Sequence, residues 1–224
     1  WTAIEKYKEL YYDPLINSLT NKGLEMNKDF YLYSYDWRQT PDVLAENFKK
    51  YLEKISSGHN PGTKYLMIGH SLGGLVLRSY VQNNSLNSAL KILTAGTPHR
   101  GTVMAYPVWQ KGALSMIENP IEKFLINLII IKCQLQPLHL QASDNFQEIN
   151  LEKIKLIKSR REVIQNLAPI FKSLLPIFPY LKKDGEIVDL NELFEKNDWL
   201  LGKPFPTPFN LPITNTISGT NQST

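Results

Sequence analysis

Residues 69–73 read Gly69-His70-Ser71-Leu72-Gly73, a serine with a glycine two positions to either side. That spacing suits a turn too tight for side chains at the flanking positions, with the serine strained and its hydroxyl pushed outward. Such a serine can attack an ester carbonyl once a base takes its proton, so Ser71 is the expected nucleophile of an acyl transfer. The pattern turns helical at Leu72. Its N–H therefore lies at a helix N-terminus, where free amides and the helix dipole favour a developing oxyanion. Leu72 N–H is the expected oxyanion-hole donor, and Gly69, His70 and Gly73 frame the turn.

A serine of this kind needs a histidine, and the histidine needs a carboxylate to orient it. The chain holds His59, His70, His99 and His139. His59 precedes the serine and His70 shares its turn. No acidic residue separates Ser71 from His99, which suits a structural histidine. His139 follows Glu118 and Glu122 but falls in a helical stretch, not on a loop after a strand. None of the four is expected to be the base.

The elements that must position Ser71 are a strand ahead of it and a helix behind. Tyr65-Leu66-Met67-Ile68 is a short apolar run that predicts a strand buried on both faces of a parallel sheet. Leu72, Leu75, Leu77 and Val81 predict the helix, broken at Asn83-Asn84-Ser85. Residues 90–95 read as the next strand, followed by the irregular loop Gly96-Thr97-Pro98-His99-Arg100-Gly101. Upstream, Ile4, Tyr7, Leu10 and Tyr11 fall at helical spacing, and Asp13-Pro14 restarts a helix. Residues 27–35 look like an aromatic-rich strand, and Asp36 and Arg38 behind it suit a loop ion pair, with Trp37 as packing. Thr40-Pro41 opens a helix whose stripe is Leu44, Phe48, Tyr51, Leu52 and Ile55, closed by Asn60-Pro61-Gly62. Strands alternating with helices predict a parallel α/β sheet.

Residues 105–210 carry no strand of that buried kind. Helical, Pro-punctuated clusters at 124–131, 151–157 and 170–181 predict an inserted cap. Pro204-Phe205-Pro206-Thr207-Pro208 reads as the connector back to the core, and 211–218 as one more strand. The expected division is thus a core over 1–104, a helical cap over 105–210 and a return strand within 211–224. The run at 124–131 suits either an acyl-chain pocket or lipid-surface contact, or plain packing of a cap helix. Interrupted by Asn127 and flanked by Lys123 and Lys132, it falls short of the ~20 residues of a membrane span.

With 224 residues and 42% apolar composition the chain can bury a sizeable core. Its formal charge of +4 comes from basic residues interspersed with acidic ones, so no nucleic-acid partner is expected. Cys133 is the only cysteine, which excludes an internal disulfide and a cysteine-based metal site.

Four phrases, Tyr35-Asp36-Trp37-Arg38, Gly69-His70-Ser71-Leu72-Gly73-Gly74, Gly96-Thr97-Pro98-His99-Arg100-Gly101 and Ser173-Leu174-Leu175-Pro176, occur in the order found in lipases related to lecithin:cholesterol acyltransferase. The chain resembles that family over essentially all of residues 1–218. The resemblance implies an α/β-hydrolase-like, mainly parallel sheet with a helical cap insertion, truncated at both ends. It also implies lipid or other carboxylic esters as substrate, no cofactor, and a lean toward secreted or membrane-associated enzymes; no metal is expected, and membrane or lipid-surface contact by the cap stays one of the readings of the run at 124–131. In such enzymes the order is Ser, then an acid, then His, so the catalytic acid and base are expected beyond Thr224 and the second oxyanion loop ahead of Trp1. The third strand of that fold would lie between the strands at 31–35 and 65–68, where the sheet is expected to gape or rearrange. The rival expectation is a non-catalytic α/β-hydrolase-like binding or interaction module that keeps the serine turn without its base.

Overall fold

The computed structural model describes residues 12–84, 89–114, 120–134, 159–202 and 214–217. The chain divides into two compact units, Trp1–Tyr35 and Asp36–Thr224.

In the first unit, helix α1 (Asp13–Thr20) starts with Asp13 and a proline in its first turn, where an acid meets the dipole and a missing N–H costs nothing. None of its residues is buried. The strand expected over 27–35 does not form. Among the described residues Met26 and Phe30 make an isolated bridge, and residues 31–35 run without regular structure. An aromatic-rich composition records a side-chain preference, which does not by itself build the ladder that makes a strand.

The second unit begins with helix α2 (Pro41–Ser56). Thr40 is extended ahead of it, a proline opens it, Asp42 sits in its first turn and Lys54 in its last. Leu44, Ala45, Phe48 and Leu52 make its buried face, each large side chain contributing roughly 1.5–3 kcal/mol by leaving water. Strand β1 (Tyr65–His70) leads into helix α3 (Leu72–Asn83), which is followed by strand β2 (Ala89–Ala95). Helix α3 packs on both strands and α2 packs on α3. Phe48 and Tyr80 meet edge to face at 5.3 Å between those helices.

Beyond β2 come α4 (Ala105–Lys111), α5 (Pro120–Gln134), α6 (Arg160–Leu167) and the single turn α7 (Ile170–Ser173). A capping box starts α6, in which the Ser159 side chain and Glu162 satisfy each other's backbone amides. Val108, Leu114, Ile130, Val163 and Ile164 form one apolar cluster, and Ala105, Trp109 and Leu175 another. The helical cluster expected at 170–181 ends after α7, because Pro176 and Pro179 lack the amides a helix would use. A small hairpin follows instead, β3 (Lys182–Lys183) with β4 (Glu186–Ile187), turning on Asp184 and Gly185, both at positive φ. A 3-10 turn (Leu190–Glu192), helix α8 (Asp198–Gly202) and strand β5 (Thr214–Ile217) complete the described elements. The cluster at 151–157 and the proline-rich connector at 204–208 lie outside the described residues.

The sheet is parallel throughout, in the order β1-β2-β5. Met67 aligns with Ile92 and His70 with Ala95, while Ile92 aligns with Thr214 and Ala95 with Ile217. This is an α/β arrangement, with β5 lying parallel beside β2. One expectation is corrected: β1 is buried on one face only. Met67 is 5% exposed beneath the helices, whereas Leu66 and Ile68 on the other face are 67% and 57% exposed. Helix α3 packs on β1, and the alternation of the strand puts Leu66 and Ile68 on the face opposite Met67.

Candidate active site

Ser71 is the single residue between β1 and α3. Its backbone has φ 52° and ψ −121°, a conformation that an L-residue with a side chain rarely holds. Neighbouring contacts enforce it. Ser71 N–H donates to Ala95 O at the end of β2 (2.8 Å), and Gly74 N–H donates back to Ser71 O (3.1 Å). A side chain at Gly69 would stand 2.6 Å from Gly74 N and 2.7 Å from the Gly73 carbonyl, so the strand meets the first helical turn through bare glycine. One at Gly74 would fall inside the Thr97 side chain. The result is an exposed Ser71, with half-buried Leu72 and Gly73 on the first turn of α3, where amides lack an acceptor within the helix.

Behind the serine lies a buried polar group that the sequence does not announce as a site. Arg78 of α3 is 5% exposed, donates from one terminal nitrogen to His99 O (2.8 Å) and lies over the Trp199 ring, 5.5 Å from its centroid. His99 Nε2 shares a hydrogen bond with Thr94 Oγ1 (3.1 Å). Burial, and then the Arg78 charge, push the His99 imidazole down to about 4, so it is neutral at ordinary pH. His99 is thus tied to Thr94 through its ring and to Arg78 through its carbonyl. A signal for Arg78 was available, since it is the one charge within the apolar run of α3.

The other expected residues are dispersed. His70 is exposed at the end of β1. His59 binds Ile55 O through Nδ1 (2.8 Å) and packs edge-on against Tyr65. His139 and Glu118 lie outside the described residues. Asp36 and Arg38 form the expected loop pair, with Arg38 donating from Nε (2.8 Å) and a terminal nitrogen (2.7 Å). Those bonds hold the Asp36 carboxyl well below the usual range. The pair is 40–49% exposed, so its contribution to stability stays within about 1 kcal/mol. Trp37 packs edge-on against Phe171. Among the described residues no three His, Cys, Asp or Glu side chains are grouped to hold a metal, and no helix is long and apolar enough to cross a membrane.

The family model for lecithin:cholesterol acyltransferase matches residues 2–124, over half of the chain and the whole stretch that builds the serine turn. The chain belongs to the lecithin:cholesterol acyltransferase family. Among solved structures it is similar to a chain of the Tle4–Tli4 complex, at 24% identity, with a TM-score of 0.31. That likeness covers 34% of this chain and 17% of the other, so this member spans under a fifth of that relative's length. No curated protein matches it.

Proposed function

We propose that this member of the lecithin:cholesterol acyltransferase family is the nucleophile-bearing portion of an α/β-hydrolase-fold serine esterase, lipase or O-acyltransferase acting on lipid or other carboxylic esters. The observation that carries the reading is Ser71, exposed and held at φ 52° between a parallel strand and a helix. Strain of that order, about 1–3 kcal/mol, persists where the surroundings over-determine it and concentrates at reactive sites. A strained serine between strand and helix supports the reading of residues 69–73 as a nucleophile elbow.

In the mechanism, Ser71 Oγ attacks the ester carbonyl as a base takes its proton. The tetrahedral oxyanion rests on Leu72 N–H, and its collapse expels the alcohol, which leaves with that proton, giving an acyl-enzyme. Water or an acceptor alcohol then attacks the acyl carbon and frees Ser71. No residue described here is given the base role, and the reaction uses no metal or cofactor. Residues 105–210 serve as the cap, with 211–224 returning to the core. The exposed stripe Phe124, Leu128 and Ile131 on α5, at i, i+4 and i+7, suits an acyl chain or lipid surface.

Ser71→Ala in the full-length protein is expected to lower kcat on a carboxylic ester by roughly 10⁴ to 10⁶-fold. A fluorophosphonate probe is expected to modify Ser71 and no other serine, read by peptide mass spectrometry. Full activity in the alanine variant removes Ser71 from the reaction. An unlabelled, inactive wild-type protein favours the non-catalytic binding module.

A further inference from the structure

The phrase Ser173-Leu174-Leu175-Pro176 has no part in the reaction proposed above, yet it joins a chain of contacts that ends at Ser71. The chain starts at Asn197, which is 1% exposed. Its Nδ2 donates to Ser173 O (2.8 Å) and Leu175 O (2.6 Å), while its Oδ1 accepts from Leu200 N–H (2.9 Å) at the start of α8. Both amide protons and the carbonyl are thus committed in a buried place, where an unmade bond is expensive.

Residues 174–177 are in turn fastened to the loop after β2. Thr102 N–H donates to Leu174 O (2.8 Å) and Ile177 N–H to Arg100 O (3.0 Å). Between those bonds Gly101, at φ 80°, is pressed so closely on the Leu175 carbonyl that a Cβ would overlap it and come within 2.8 Å of Pro176 Cα. Arg100 lies over the Phe178 ring, 5.5 Å from its centroid. The same loop meets α3 at two points, Thr97 against Gly74 and His99 O on Arg78, and it leaves β2 directly after Ala95, whose O holds the Ser71 amide.

We propose that residues 173–178 are a strap, with Asn197 as its anchor, that holds the loop at 96–102 in place and so positions Ser71. Asn197 is a positioning residue, acting on the nucleophile through the strap and the loop. The proposal rests on the acyl-transfer reading for its kinetic consequence but not for its structural one, so the two are tested separately.

The experiment uses the full-length protein with Asn197→Asp, which keeps an oxygen for Leu200 N–H and loses both donors to the strap. Gly101→Ala attacks the same contact from the loop side, should the first variant fail to fold. Gly185→Ala is the control, since it has a positive φ but open space around it in the hairpin. Amide exchange is expected to accelerate about tenfold or more at Ile177, Thr102 and Ser71 in both strap variants, and not within α2. On a short, soluble ester, kcat is expected to fall roughly 10 to 100-fold with KM nearly unchanged, because a small misplacement of a nucleophile is costly. The control is expected to match wild type in both. Faster exchange confined to Ile177 and Thr102, with Ser71 exchange and kcat unchanged, overturns the proposal. If Ser71→Ala keeps its activity, the reaction reading has failed and exchange at Ser71 alone decides the strap.

Discussion

Protonation of His99 is opposed both by burial and by the guanidinium of Arg78, whose own terminal nitrogen binds the His99 carbonyl. In an unfolded chain the same imidazole titrates near its ordinary value of about 6.5. Between about 6.5 and 4 the unfolded state takes up a proton that the folded state refuses, so stability falls as the pH drops through that window and levels off below it. The expected loss from this one group is at most about 3 kcal/mol. His99→Gln, which can still bond Thr94, should remove that slope. The measurement is the difference between wild-type and variant urea-unfolding free energies from pH 7.5 to 4; a flat difference assigns the loss to other groups.

At the scale of the element, the serine turn depends on how closely α3 approaches the loop after β2. Gly74→Ala places a methyl inside the Thr97 side chain, and overpacking of this kind is expected to cost about 1–3 kcal/mol. Thr97→Gly in the same chain should restore much of the loss, since all three of the nearest atoms belong to Thr97. A double-mutant cycle on unfolding free energies reads that coupling, and additive losses would put the strain elsewhere. The elements around Ser71 were legible because their signals are local: Thr40-Pro41 before an apolar stripe, glycines flanking the serine, and a helix ending at Asn83. The hairpin at 182–187 was equally local, carried by Asp184-Gly185, but went unread beside the helical patterns around it. Residues 27–35 failed for another reason: composition records a side-chain preference, whereas a strand needs a partner that no local pattern reveals. Arg78 and Asn197 belong to a third kind. Their importance comes from contacts with residues far along the chain; Arg78 is at least marked as the one charge in an apolar helix, whereas nothing around Asn197 marks it.

At the scale of the whole molecule, the notable feature is a parallel strand, β1, with one bare side. Parallel sheets are ordinarily covered on both faces, because each strand carries apolar residues of both parities. Here Leu66 and Ile68 stand 67% and 57% exposed on β1, and Leu93, aligned with Ile68, is half-buried beside them. Covering two such side chains is worth roughly 1.5–3 kcal/mol each, comparable with a large part of a domain's net stability. Among the described residues β1 also pairs with a strand on one edge only, the kind of edge at which sheets associate. The 224-residue chain by itself is therefore expected to self-associate at micromolar concentrations, through this face. Replacing Leu66 and Ile68 together with lysine should suppress that association while leaving Met67 and the helix-covered face untouched, so the far-ultraviolet circular dichroism should hold. Light scattering across a concentration series is the measurement. A wild-type chain that stays monomeric would mean this face is already satisfied, and a lysine variant that associates as before would move the contact to another surface.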